Sequence, residues 1–150
     1  MLQKELLRTV VFGLIIFTIV NLSACAMIGI GRTVIAEPDE YSHIYEAKEK
    51  YILQAIARVF KERDMGKNVH IDESKNTVDS DFIVRDNWRT KGAARLKRLN
   101  WKECEVLLTV TTEKKTEKGW EMRRLLGREQ YEKIFDAVNR QIYEEMYKTE

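Results

Sequence analysis

The chain has 150 residues, with 26 Lys and Arg, 24 Asp and Glu and two histidines, and its formal net charge is +2. This length suits one domain and is short for two. A charge balance so close to zero provides no strong positive field, so no nucleic-acid partner is predicted.

The N-terminal segment has the pattern of an export signal. A short region with Lys4 and Arg8 leads into an apolar run over residues 10–22. Such a run fits the core of a secretory signal peptide, and it falls short of the ~20 residues that a membrane-spanning helix needs. The sequence therefore predicts that the chain leaves the cytoplasm.

The residues Leu22-Ser23-Ala24-Cys25 resemble the lipobox of bacterial lipoproteins. The resemblance implies that residues 1–24 are a lipoprotein signal peptide and that Cys25 receives a diacylglyceryl group and an N-acyl chain, which together anchor stably. Ala26 and Met27 stand where Asp would favour the inner membrane, so the resemblance implies an outer-membrane anchor, with the domain facing the periplasm or the cell surface. An uncleaved membrane-spanning helix and a cytosolic protein are the alternatives.

The next segment is interpreted as a connection to the folded domain. Residues 25–42 contain the only proline and show no helical or strand period, so they are expected to form the lipidated cysteine and a tether. Asp39 or Ser42 is expected to cap a helix that extends to Arg63, because its apolar residues recur at spacings of three and four. Gly66 can supply the left-handed residue beyond that helix.

Alternating patterns in the middle of the chain predict strands. Residues 69–71 and 77–84 are expected to form a hairpin around a polar turn at 73–76. Residues 85–100 contain Gly92 and lack a clean period, so a loop is expected there. Residues 101–112 follow as a strand, in which Cys104 is expected to be buried because it shares a face with apolar residues.

The C-terminal part is expected to continue with a turn at 114–119, a strand at 120–126 and a helix at 129–147. The order α-β-β-β-β-α over residues 43–150 predicts a single α+β domain. We expect a two-layer sandwich in which two helices cover a four-stranded antiparallel sheet. This order resembles the helix-grip domains of envelope lipoproteins of the BamC type, and the resemblance carries over no functional residues.

No catalytic residue, metal ligand set or cofactor is predicted, and the chain is not expected to be an enzyme. His43, His70 and Cys104 are far apart in sequence, whereas a metal site needs a cluster of ligands. Asp79 and Asp81 share one strand face, and a solvated face explains them better than a paired carboxylate site. A buried Cys104 thiol would keep a high pKa and react slowly.

One segment, residues 85–102, has a marked local charge. Its only acidic residue is Asp86, and Trp88 and Trp101 flank its middle. Arginine forks suit phosphates and carboxylates, and tryptophan favours membrane interfaces, so an anionic partner is predicted. The alternative is a solvated loop whose tryptophans fold onto the core. The seven basic residues of this candidate site are Arg85, Arg89, Lys91, Arg95, Lys97, Arg98 and Lys102.

The leading functional hypothesis is an outer-membrane lipoprotein that acts as a non-enzymatic binding or assembly module of the cell envelope. Its partners would be the membrane, through the anchor, and another envelope protein or an anionic lipid. One alternative is an assembly factor that binds lipid or lipopolysaccharide through residues 85–102. A second alternative is a small envelope hydrolase.

Overall fold

The computed structural model describes residues 39–148, so the lipobox and most of the expected tether lie outside the described residues. The α+β class is confirmed, but the predicted four-stranded sheet and element order are wrong, because the described residues form seven strands in one antiparallel sheet. The elements are β1 (Glu40–Glu46), α1 (Glu49–Glu62), β2 (Lys67–Asp72), β3 (Thr77–Asp81), β4 (Ile83–Arg85), β5 (Trp88–Arg98), β6 (Glu103–Thr116), β7 (Gly119–Met122) and α2 (Arg128–Tyr147).

A long central hairpin, β5–β6, organises the sheet. Its strands have 11 and 14 residues, and each is long enough to hold two shorter neighbours on its outer side. Strand β6 pairs with β1 along residues 103–109 and with β7 along residues 113–116. Strand β5 pairs with β3 along residues 93–95 and with β4 along residues 88–90, and β2 lies beyond β3.

The predicted start of the first helix is wrong. Residues 40–46, which include part of the expected tether, form β1, and α1 begins only at Glu49, so neither Asp39 nor Ser42 caps it. Ile44, whose spacing from the next apolar residues fits a helix, is 51% exposed, whereas Tyr45 is buried and donates a hydrogen bond to the carbonyl of Phe135. Alternate burial of this kind is the period of a strand.

The expected loop at 85–100 is also wrong, because most of it is β5. A two-residue turn precedes this strand, with Asp86 in the left-handed region at φ 53°. Gly92 does not interrupt the strand. A Cβ atom there would lie 2.7 Å from Cε2 of Phe60, and the Gly92 N–H donates a 2.9 Å hydrogen bond to Oγ of Ser80. The glycine therefore lets α1 approach the sheet closely.

Other predictions hold with changed bounds. The β2–β3 hairpin, the strand after residue 101 and the C-terminal helix are confirmed. The strand expected over 77–84 is divided into β3 and β4, since Phe82 lies between them and turns its ring toward Arg89. The strand expected over 120–126 ends at Met122.

Both helices contact the same face of the sheet, which we call the covered face. Phe60 of α1 lies against Gly92, and Phe135 of α2 receives the hydrogen bond of Tyr45; the register of β1, β5 and β6 places these positions on one face. Cys104 is buried there, as predicted. The largest fully buried side chains are Tyr131, Phe60, Ile52, Leu53, Ile56, Leu108, Val59, Val78, Val106 and Val138.

Candidate functional site

The seven predicted basic residues do not form one loop. Strand alternation places Arg89, Lys91, Arg95 and Lys97 on the sheet face opposite the helices, which we call the open face. Of the others, Arg98 points to the covered side, Arg85 ends β4 and Lys102 lies in the turn between β5 and β6. The sequence segment is continuous, but the side chains are divided among three surfaces.

Acidic residues from distant parts of the chain neutralise much of this local charge. Four of the seven cations form ion pairs, with acids supplied by β1, α1, β6 and the turn after α1. Within residues 39–148, no ion pair is found for Lys91, Lys97 or Lys102. The four pairs are Arg85–Asp64 at 2.7 Å, Arg89–Glu113 at 2.5 Å, Arg95–Glu40 at 3.0 Å and Arg98–Glu49 at 2.7 Å.

Arg89 is part of a packed cluster on the open face. Its guanidinium lies 4.3 Å from the ring centroid of Phe82 and 4.6 Å from the ring of Trp120, and the Lys91 amine lies 5.0 Å from Phe82. Stacking on two rings and pairing with Glu113 use most of the guanidinium surface. These contacts give Arg89 and Lys91 a structural role that leaves little room for a ligand.

The two predicted tryptophans differ in environment. Trp88 is half-buried, with the amine of Lys114 5.4 Å from its ring. Trp101 is 85% exposed, which is far more than any other large apolar side chain on the same turn. Trp101 therefore offers a partner much more surface than Trp88 does.

Trp101 lies in the turn Leu99–Lys102, which we call the hairpin tip. The side chain of Asn100 fixes this turn: its Oδ1 accepts hydrogen bonds from the backbone N–H of Lys102 at 2.8 Å and of Glu103 at 2.9 Å. The N–H of Leu99 donates to the Glu103 carbonyl at 2.9 Å and closes the hairpin. An asparagine that bonds its own backbone two residues later is a common way to order a turn.

The hairpin tip presents an apolar pair beside a cation. Leu99 is 42% exposed, and the amine of Lys102 lies 4.5 Å from the ring centroid of Trp101. Exposed tryptophans on ordered backbone are typical interface hot spots, because they bury a large area and lose little conformational entropy. The sequence-based prediction identified Trp101 and Lys102 and missed Leu99 and Asn100, although asparagine is a common turn residue.

Charges of both signs surround the hairpin tip. Glu46, at the end of β1, lies opposite Glu103, and Lys97 lies opposite Glu105. Acids therefore stand beside Lys97 and Lys102, which form no ion pair with any residue that the structure describes. The surface is an apolar centre with a mixed polar rim.

Cys104, the cysteine of the described residues, is buried. Burial raises the pKa of the Cys104 thiol, and Glu49 raises it further. A thiol of this kind is a poor nucleophile. Across residues 39–148 no group of three or more His, Cys, Asp and Glu side chains has a metal-binding arrangement, and neither helix is long and apolar enough to cross a bilayer.

Comparison with known proteins assigns no family. No family model and no curated protein matches the chain. Among solved structures, a TBP-like protein from Parabacteroides distasonis is 15% identical with a TM-score of 0.35, over 66% of this chain and 91% of that one. A conserved protein from Geobacillus kaustophilus is 6% identical with a TM-score of 0.30, over 73% of this chain and 92% of that one. Likenesses at this level assign neither a family nor a function.

Proposed function

We propose that this chain is a lipid-anchored, non-enzymatic binding module of the bacterial cell envelope, held in the outer membrane by Cys25. Its domain would be a two-layer sandwich that presents the hairpin tip to another envelope protein. The observation that carries the proposal is the exposure of Trp101 on a turn that Asn100 holds in place. An ordered, solvent-exposed indole is better suited to an interface than to free solution.

The hairpin tip lies away from the point where the chain enters the described domain. Strand β1 begins at Glu40, and Glu46, at its other end, lies opposite Glu103, which directly follows the hairpin tip. A strand of this length spans ~20 Å.

The charges favour a protein over an anionic lipid surface. Phosphates of lipids or lipopolysaccharide would be repelled by Glu46 and Glu103, and Glu105 lies opposite Lys97. An apolar centre with a mixed polar rim is the usual anatomy of a protein–protein interface. The alternative of lipopolysaccharide binding through residues 85–102 has less support, since four of its cations are already paired.

Site-specific photo-crosslinking in the native host tests the proposal. A benzophenone amino acid would replace Trp101 in one variant and Tyr143, which is 56% exposed on α2, in a matched control. We expect a discrete protein adduct from position 101 and none from position 143. Adding Leu99→Asp should reduce the adduct at least about fivefold, because a carboxylate would enter the apolar centre of the interface.

Two results would contradict the proposal. Identical adducts from positions 101 and 143 would mean that the contacts are non-specific. If position 101 formed an adduct with lipid alone, the hairpin tip would contact the membrane surface and not a protein partner.

A further inference from the structure

A groove lies at the other end of the helices and has no part in the proposed function. It has a volume of about 440 Å³ and opens between the C-terminal end of α1, the covered face of the sheet and the first turns of α2. We call it the lateral groove. Its volume is within the ~300–1,000 Å³ typical of sites for small molecules.

Five of the eleven residues that line the lateral groove are apolar. The apolar residues come from four parts of the domain. Met65 follows α1, Val110 belongs to β6 and Ile134 to α2. Leu125 lies in the segment between β7 and α2. Leu125 is 56% exposed, although it belongs to an apolar wall. Covering this wall would remove exposed apolar surface from water, which favours an apolar occupant.

The other six lining residues are polar or charged, and several of them already form hydrogen bonds within the domain. The hydroxyls of Thr90 and Thr112 lie 3.4 Å apart, and the register places them opposite each other on the covered face. Gln130 uses its side-chain oxygen to accept a 2.9 Å hydrogen bond from the Gly127 N–H.

The rim of the lateral groove favours a negative charge at one place. The Arg63 guanidinium donates to the Lys133 carbonyl at 3.2 Å, and no carboxylate pairs with it among the described residues. The other charges near the rim are compensated, since Asp64 pairs with Arg85 and Lys133 pairs with Glu129. The rim of the lateral groove therefore has a net charge of one positive group, which is the guanidinium of Arg63.

We propose that the lateral groove binds a single-chain anionic amphiphile, with its acidic head at Arg63 and its hydrocarbon chain along Met65, Leu125 and Ile134. A carboxylate fits the fork of a guanidinium, and the bond gains strength because the donor is charged. The hydrocarbon chain of the ligand would displace water from the apolar residues of the groove. This inference is independent of the hairpin tip and its partner.

Photo-labelling with a diazirine analogue of palmitate tests this site in the full chain, purified in a non-ionic, detergent-free amphipol that carries no carboxylates to compete for the site. We expect the label on peptides that contain Leu125 or Ile134. Leu125→Trp, which fills the lateral groove, should reduce labelling at least about fivefold, whereas Val84→Trp, at another exposed apolar position, should leave it unchanged.

The acidic head is tested separately. Arg63→Gln should reduce labelling several-fold. Arg140→Gln, which changes an exposed arginine of α2 that does not line the groove, should not reduce it. Unlabelled palmitate should compete at least about fivefold better than hexadecanol, which has the same chain without the charge.

Several results would overturn the inference. The site would be ruled out if no label were found, if the label lay outside the groove peptides, or if it were spread evenly over the surface. It would also be ruled out if Leu125→Trp left the labelling unchanged. Equal competition by palmitate and hexadecanol, or an unchanged Arg63→Gln variant, would remove the anionic head.

Discussion

Gly92 shows why a single residue type can mislead at the residue scale. In a polar, aperiodic stretch a glycine normally indicates a loop, and this pattern led to the wrong prediction over residues 85–100. The physical reason for the glycine is the ring of Phe60, which lies where a Cβ atom would be. Since Phe60 is 32 residues away in sequence, no local pattern could have revealed the contact.

Gly92→Ala is expected to destabilise the domain by about 1–3 kcal/mol. The added methyl group would come within 2.7 Å of the Phe60 ring in a packed region, and neighbouring backbone or the helix would have to shift. Urea unfolding followed by circular dichroism measures the free energy of unfolding of both proteins.

A double variant identifies the cause of this loss. Phe60→Leu shortens the side chain that faces Gly92, so Gly92→Ala should cost at least about 0.5 kcal/mol less in the Phe60→Leu protein than in the unmodified one. If the two effects simply added, the contact between residues 60 and 92 would not be the reason for the glycine.

At the element scale, local periodicity predicted the elements whose burial pattern is carried by their own sequence. The buried residues Tyr131, Ile134, Phe135, Val138 and Ile142 recur at helical spacing in α2, and alternate residues of β6 are buried as expected. Strand β1 was missed because its partner is β6, about sixty residues later, and because Ile44 coincided with a helical stripe. Non-local pairing leaves no local signal.

Hydrogen exchange should rank the strands by their place in the sheet. The amides of Ala94 and Val106 belong to β5 and β6, which have strands on both sides, so these amides should exchange at least about tenfold more slowly than those β2 amides that bond to β3. Native-state exchange followed by NMR measures the ratio. Equal protection of β2 and the central hairpin would mean that the sheet opens only as a whole.

At the scale of the whole molecule, a charge cluster in sequence differs from a charge cluster in space. Residues 85–102 contain seven cations and one acid, yet four of the cations meet acids from β1, α1, β6 and the turn after α1. Arg85, Arg95 and Arg98 are exposed but paired with acids, whereas the turn around Trp101 and Lys102 keeps an exposed aromatic side chain beside a cation. The composition locates the segment. The strand register is needed to assign its side chains to the open face, the covered side and the hairpin tip.

Replacing the proposed lipid-bearing thiol tests the arrangement of the whole chain. In the native host, the mature protein is expected to begin at residue 25 and to carry the mass of a diacylglyceryl group and an N-acyl chain, because a thiol directly after a signal peptide is the acceptor in the lipoprotein class. Cys25→Ser should lose both lipids and leave the detergent phase in a phase-separation assay. Cys104→Ser is the matched control: this thiol is buried in the sheet, so its replacement should leave lipid mass and partitioning unchanged. A wild-type chain that still begins at Met1 without acyl mass would contradict the anchor and leave the domain without its proposed membrane.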